Sequence, residues 1–164
     1  MDTEEILFLF KYNYWARDRI LENIALLTPK EYEEPRPYAH GSIRNTLVHT
    51  LNAEWLWRSR CQENYSPSQP LDPEAFPTIP LLRQRWQQEE SLMIGYLKSL
   101  TSTDLEKTIH YQRLGSEPHE NLLWQILVHT VNHGTEHRSV VAAYLTACGH
   151  SPGDIDLIHF LRAK

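Results

Sequence analysis

Apolar residues recur at intervals of three or four positions along four long stretches of this chain. In the first stretch Ile6, Phe10 and Tyr14 follow one another in this way. An α-helix turns once in about 3.6 residues, so this spacing places the apolar side chains on one face, which can be buried against other helices. The predicted helices span residues 4–27, 43–64, 81–100 and 120–148.

Residues with known preferences for helix ends flank these stretches. Thr28 and Ser42 are suited to cap helix N-termini, and the proline after Thr28 predicts a short helical turn over residues 30–34. Gly149 stands where many helices end in a left-handed conformation. Five of the ten prolines fall within residues 65–80. Because proline lacks the backbone donor that regular structure needs, this segment is predicted to be a long loop.

Long helices with connectors of unequal length are typical of an all-α fold, and we predict a four-helix bundle with a long crossing loop. Residues 103–115 predict an irregular excursion or a small hairpin, and residues 154–163 predict an apolar tail that packs back on the bundle. A chain of 164 residues can bury a sufficient core without a disulfide or a metal. We therefore expect a single domain over residues 1–164, in which a bound metal would serve function.

The charge and hydropathy of the chain exclude several classes of protein. It has 16 basic and 21 acidic residues and no basic run, which argues against a nucleic-acid partner, since phosphate binding needs basic side chains. No stretch approaches the roughly 18–20 apolar residues of a membrane span, and the acidic N-terminus lacks the positive charge of a signal peptide. Cys61 and Cys148 lack CxxC spacing and predict free thiols in a reducing compartment. We expect a cytoplasmic protein without a membrane partner.

The chain contains nine histidines, and three of them stand four residues apart on the predicted fourth helix. A step of four residues turns only about 40° around a helix, so His129, His133 and His137 form one stripe. His133 and His137 interrupt the inward apolar face, where two imidazoles one turn apart can both reach a cation about 2.0–2.1 Å away. His129 lies nearer the polar edge, and we expect it to pack against the ligands rather than bind metal. Apart from His49, which lies on the predicted second helix, the other five fall in predicted loops or in the tail, where we expect solvated surface roles: His40, His110, His119, His150 and His159.

A third imidazole is available from His49, on the flank of the apolar face of the second helix. Three histidines and an open position are typical of a catalytic metal site, in which the pKa of a bound water falls toward about 7. The spacing also allows hydrogen-bonded core histidines without metal. Residues 133–137 further fit the HxxEH pattern of inverted zinc proteases, but only 27 residues follow His137, which is short for the downstream third ligand of those enzymes.

Three segments carry more specific patterns than the helical period. Residues 12–16 read YNYWA, residues 41–49 read GSIRNTLVH, and residues 132–138 read NHGTEHR. In these segments, and over nearly its whole length, the chain resembles the DinB/YfiT-like family of small metal-binding four-helix proteins. The resemblance implies that His49, His133 and His137 are the three metal ligands, in preference to His129. Where the family often has an aspartate five residues after the first ligand, this chain has Glu54.

The resemblance also implies a chemistry. Similar proteins include thiol-dependent enzymes, such as maleylpyruvate isomerase and S-transferases that use bacillithiol or mycothiol. Imidazole ligands favour zinc or nickel, and the open position of such an ion would bind and deprotonate a low-molecular-weight thiol or a water. The thiolate would attack a small-molecule substrate lodged against aromatic residues. The general base is left open among Glu136, Glu54 and His129.

The predicted function is therefore a metal-dependent enzyme of the thiol S-transferase or hydrolase type. The alternatives are a non-catalytic stress-response protein that binds a metal or a ligand, and a purely structural bundle. We also expect a homodimer, because a short bundle with five tryptophans has apolar surface to spare and proteins that this chain resembles are often homodimers.

Overall fold

Helices account for most of the residues that the computed structural model describes, which are 1–37, 40–112 and 117–163. These residues form seven α-helices, whose bounds in chain order are α1 (Thr3–Ile24), α2 (Pro29–Glu33), α3 (Ile43–Glu63), α4 (Ile79–Ser99), α5 (Ser102–Leu105), α6 (Leu123–Ala147) and α7 (Leu157–Arg162). They also form two short strands, β1 (Thr108–Gln112) and β2 (Pro118–Leu122). The mostly helical class predicted from the sequence is confirmed.

Capping interactions explain where several helices begin and end. Thr28 and Glu31 form a capping box at the start of α2, in which each side chain accepts a hydrogen bond from the other residue's backbone N–H. The Ser42 hydroxyl accepts from the backbone N–H of Asn45 over 3.0 Å and caps α3 as predicted. Beyond α6, Gly149 has a φ of +83°, a left-handed conformation that favours glycine. The predicted termini at these three places are correct to within one residue.

The four long helices pack side by side around a shared interior. α1 lies against α4 and α6, and α3 lies against the same two helices. Buried apolar residues form two clusters, one near Ile20 and Leu145 and the other near Phe10 and Leu127. Along each of these helices, buried polar side chains separate the two clusters: Asn13 and Arg17, Glu54 and Arg58, Glu89, and His137 and Arg138. The interior is therefore polar at its middle, where the histidines of α6 lie.

The hairpin departs from the prediction in its second strand. β1 and β2 pair antiparallel, with Tyr111 opposite His119. The sequence predicted an excursion over residues 103–115 and a last long helix that begins at residue 120. Both bounds are wrong, because β2 occupies residues 118–122 and α6 begins at Leu123. Pairing with β1 holds this segment extended until the backbone N–H of Leu123 donates to the carbonyl oxygen of Lys107. The last part of the predicted excursion, residues 113–115, lies outside the described residues.

The segments that precede and follow the long helices match the prediction more closely than the hairpin does. The proline-rich segment joins α3 to α4 and contains a 3₁₀ turn at Pro73–Ala75. α4 begins at Ile79 with a proline in its first turn, where the missing N–H would have no helical acceptor. The C-terminal segment returns to α1 as predicted, since the ring centroid of Phe160 in α7 lies 5.5 Å from those of Phe8 and Trp15.

Two further expectations concern membranes and cysteines. In the described part of the chain no helix is both long enough and apolar enough to cross a membrane. Cys61 and Cys148 are free thiols, as predicted, and both are half-buried. Burial raises the pKa of the Cys61 thiol to about 12, so this side chain is a protonated packing group at neutral pH.

Candidate metal centre

Three histidines from two adjacent helices converge at one point. α3 carries His49, and α6 carries His133 and His137 one turn apart. The Nε2 atom of His133 lies 3.2 Å from Nε2 of His49 and 3.1 Å from Nε2 of His137. The structure thus brings together all three histidines that the sequence singled out, with the same type of ring nitrogen turned inward on each.

This convergence is incomplete as a hydrogen-bonded arrangement. A ring nitrogen carries either one proton or one lone pair, so Nε2 of His133 cannot make good hydrogen bonds in two directions at once. Tetrahedral ligands at the usual zinc–nitrogen distance stand about 3.3 Å apart, which is close to the separations at His133. The donor set therefore fits a divalent cation.

The electrostatic setting keeps these imidazoles neutral. Burial is the largest cause that lowers the pKa of His49 and of His133 from 6.5 to about 4, and the neighbouring histidines lower both further. Burial also lowers the pKa of His137. Glu136 acts in the opposite direction on His133 and His137, but its own side chain is exposed. Neutral imidazoles present the lone pair that a metal requires, so the cluster is ready to bind a cation at neutral pH.

A fourth histidine joins the cluster, and sequence reasoning missed it. The ring of His40 stacks on that of His49, with centroids 3.7 Å apart and planes inclined by 19°. One ligand atom from each of His40, His49 and His137 lies within 4.8 Å of the others. The predicted surface role of His40 is wrong, because its half-buried ring packs against His49 at the site. Since His40 precedes α3 and belongs to no periodic stretch, only its nearness to the Ser42 cap signalled this position.

The connector that carries His40 is tied to α6. The backbone N–H of Arg36 donates to the carbonyl oxygen of Gly41, and the Arg36 guanidinium donates to the Tyr144 hydroxyl. That guanidinium also lies over the Tyr144 ring, 4.3 Å from its centroid. These contacts hold Arg36 against α6 and next to Gly41, the residue that follows His40. Elsewhere, His110 and His119 are exposed, as predicted, although they lie in β1 and β2 rather than in loops.

An aromatic cleft opens beside the cluster. His129 lies one turn before His133, with ring centroids 5.8 Å apart, and packs edge-on against Trp57 at 5.7 Å. The Trp57 and Tyr111 rings meet at 4.9 Å, and Arg60 lies over both. The cleft has a volume of about 260 Å³ and is lined by Trp57, Tyr111, Asn121, Gln125, Ile126 and His129. His129 therefore connects the histidines to a space that a small molecule can fill.

Behind the cluster lies a second polar group, which we call the buried bridge and define as Asn13, Glu54, Trp86 and Arg138. The Glu54 carboxylate accepts hydrogen bonds from Nδ2 of Asn13 over 3.0 Å and from Nε1 of Trp86 over 3.1 Å. The Asn13 carbonyl oxygen accepts in turn from the Arg138 guanidinium. One amide thus joins a buried carboxylate to a buried guanidinium.

The buried bridge excludes one of the candidate bases. Glu54 is 1% exposed, and burial raises the pKa of its carboxyl group, while its two donors act to lower it. A carboxylate that is buried and bonded to donors from two other helices holds those helices together and is not exposed to a substrate. Glu54 is therefore a structural residue, and the sequence-based candidacy of Glu54 as a general base is wrong.

Gly134 allows the buried bridge to pass close to the metal ligands. This glycine lies between His133 and His137 on α6, and a Cβ atom there would stand 2.7 Å from Oδ1 of Asn13 and 2.8 Å from Nη1 of Arg138. Only a residue without a side chain leaves room for both groups. The bridge therefore locks α6 against α1 at the turn that presents the two ligands.

These features define a class: a mostly helical protein whose long helices enclose a convergent histidine cluster with an aromatic cleft beside it. The DinB family model matches residues 1–164, and the chain belongs to the DinB family. The chain is also similar to Protein DinB of Bacillus subtilis (strain 168), with 25% identity over 168 residues that cover 93% of this chain and 92% of that protein. The family resemblance stated from the sequence is confirmed.

Proposed function

We propose that this chain is a single-domain four-helix bundle whose function depends on one divalent metal ion, zinc or nickel, held by His49, His133 and His137. The observation that carries this proposal is the convergence of three Nε2 atoms at 3.1 and 3.2 Å around His133. Soft-to-borderline divalent ions favour imidazole over other side-chain ligands, which supports zinc and nickel. Three protein ligands would leave a coordination position for a substrate.

The chemistry we propose is transfer of a thiol to a small electrophile, or hydrolysis at the same site. A divalent ion held there would act as a Lewis acid that lowers the pKa of a thiol or a water toward neutrality. The thiol proton would be released to solvent, and the new bond from sulfur to the electrophile would form as the leaving group departs with its electron pair. Neutral imidazoles keep the site free of charges that would compete with the metal.

The aromatic cleft is the proposed place for the electrophile. Its volume of about 260 Å³ suits a molecule of modest size, and the rings of Trp57 and Tyr111 offer apolar walls. The amides of Asn121 and Gln125 give the cleft hydrogen-bonding groups. His129 borders both the cleft and His133, so an electrophile in the cleft would lie next to a thiol at the metal.

We also propose the cellular setting. The free cysteines Cys61 and Cys148 support a reducing compartment, for which the cytoplasm is our proposal. The net charge of −5 supports a role without nucleic acid or a membrane surface. Exposed Leu81, Leu92 and Leu161 support association into a homodimer through apolar faces.

Elemental analysis of protein purified without a histidine tag tests the metal site. We expect stoichiometric zinc or nickel in the wild type and loss of that metal in a His133→Ala/His137→Ala variant after chelation and reloading. A His110→Ala/His119→Ala variant is the matched control, because both of those histidines are exposed, and it should keep its metal. Wild-type protein that holds no metal and whose stability a chelator leaves unchanged would instead favour a structural bundle.

Turnover tests the enzymatic part separately. The metal-loaded protein is mixed with a panel of low-molecular-weight thiols and electrophiles, and thioether formation is followed by mass spectrometry. We expect product with the wild type and none with the double variant. Metal-loaded protein that forms no product, yet gains thermal stability when a thiol is added, would favour the non-catalytic ligand-binding alternative.

A further inference from the structure

The histidine cluster contains more imidazoles than the proposed three-ligand site uses. His40 lies close to His49 and to His137, with ring centroids at 3.7 and 5.1 Å. One ring nitrogen of His40 lies within 4.8 Å of a ring nitrogen of each of those two histidines. The three-ligand assignment gives this residue no role in the site.

We propose that His40 is a fourth ligand of the metal ion, beside His49 and His137. This inference rests on the proposed function, since it adds a ligand to the same metal centre. A thiol would then have to displace an imidazole rather than only a water.

The surroundings of His40 favour a ligand over an ion-paired or surface histidine. Among the described residues, carboxylates stand within ion-pair distance of His110 and His159, while the clustered histidines have no such partner. Stacking alone also explains little, because two neutral imidazoles attract each other weakly. Four imidazoles packed together without an anion are instead the expected surroundings of a cation.

Described residues on both sides of His40 are held in place. Gly41, with a φ of +83°, makes the bend between His40 and the Ser42 cap of α3. Arg36 contacts Tyr144 of α6, and its backbone N–H donates to the carbonyl oxygen of Gly41. With these anchors, the His40 imidazole lies beside His49 and His137.

Cobalt(II) is a suitable probe, because its visible absorption reports the number and arrangement of its ligands. The wild type, His40→Ala, His40→Phe and a His150→Ala control are each loaded with cobalt(II) and titrated with a competing chelator. The phenylalanine keeps a ring to stack on His49 but has no nitrogen, so it separates ligation from stacking. We expect both His40 variants to lose about tenfold or more in cobalt affinity and to change the visible spectrum. The control should match the wild type.

The outcomes separate the two proposals. If His40→Phe binds cobalt as the wild type does, with the same spectrum, His40 is at most a stacking group and the inference is overturned while the three-ligand site stands. If the wild type itself binds no cobalt, the inference and the proposed function fall together. Circular dichroism of the metal-free variants confirms their fold. Should His40→Ala unfold, His40→Phe alone decides between ligation and stacking.

Discussion

The buried bridge and the histidine cluster are two polar groups in one protein interior, and they differ in how completely they satisfy themselves. In the bridge, Glu54 has two donors and Arg138 donates to Asn13 and to Thr135. In the cluster, Nε2 of His133 lies 3.2 Å from Nε2 of His49 and 3.1 Å from Nε2 of His137, although it has only one proton or one lone pair to share. A polar group whose members satisfy one another holds a fold together, whereas ring nitrogens brought together without enough protons to bond one another are placed to receive a cation.

The buried bridge and the histidine cluster meet at adjacent residues of α6, so substitutions in the two groups can be compared in the same surroundings. His137 belongs to the cluster and Arg138 to the bridge, and both are buried on α6. Substitutions in the bridge should therefore act on stability, and substitutions in the cluster should act on metal binding.

The largest effect is expected from Arg138→Ala. This change removes a buried guanidinium, leaves the side-chain carbonyl oxygen of Asn13 without its donor, and leaves Arg17 to stabilise the Glu54 carboxylate without Arg138. Leaving a buried polar group without its partner costs about 1–3 kcal/mol, and more where a charged group is involved, so we expect the free energy of unfolding to fall by about 3 kcal/mol. Urea denaturation measures it, with the adjacent exposed Ser139→Ala as the control. A loss below about 1 kcal/mol would show that the bridge does not hold the helices together.

Two glycine-to-alanine substitutions should change the free energy of unfolding by smaller amounts and in opposite directions. Gly134→Ala places a Cβ within 2.8 Å of the bridge, so overpacking should lower the free energy of unfolding by about 1–3 kcal/mol. Gly95 lies in α4, and a methyl group added there would meet none of the described neighbouring side chains within 4 Å. Gly95→Ala should therefore raise the free energy of unfolding by about 0.5–1 kcal/mol through helix propensity. Thermal unfolding of both variants gives the comparison. Stabilisation by both would mean that the bridge yields to the methyl group.

The difference between the two polar groups also explains what the sequence could predict. The helices and their caps follow from local patterns, and the pair His133 and His137 follows from a helical step of four residues. Each of these signals is contained within one segment of the chain. The second strand escapes prediction for the opposite reason, because residues 118–122 are extended only through pairing with β1.

The remaining site residues depend on contacts between distant segments. Asn13, Glu54 and Arg138 come from three different helices, and each is an ordinary polar residue when it is considered alone. His40 reaches the cluster through the path of a connector, which no periodicity describes. A polar residue on an otherwise apolar helix face, such as Asn13 among the buried residues of α1, is the one local signal that could have pointed to the bridge.

The smallest effect concerns the pH dependence of the metal-free protein. Because His49 and His133 have pKa values of about 4 when folded against 6.5 ordinarily, the unfolded chain binds more protons between these pH values. The histidines therefore lower the free energy of unfolding as the pH drops from 6.5 toward 4. The raised pKa of Glu54 acts with the opposite sign, so the useful quantity is the difference between the wild type and a His49→Gln/His133→Gln variant. Urea denaturation in the presence of a chelator should show a shallower fall for the variant, which gains stability relative to the wild type between pH 7 and pH 5. Equal slopes would mean that the folded chain accommodates protonated histidines, and that the cluster does not hold its imidazoles neutral for a metal.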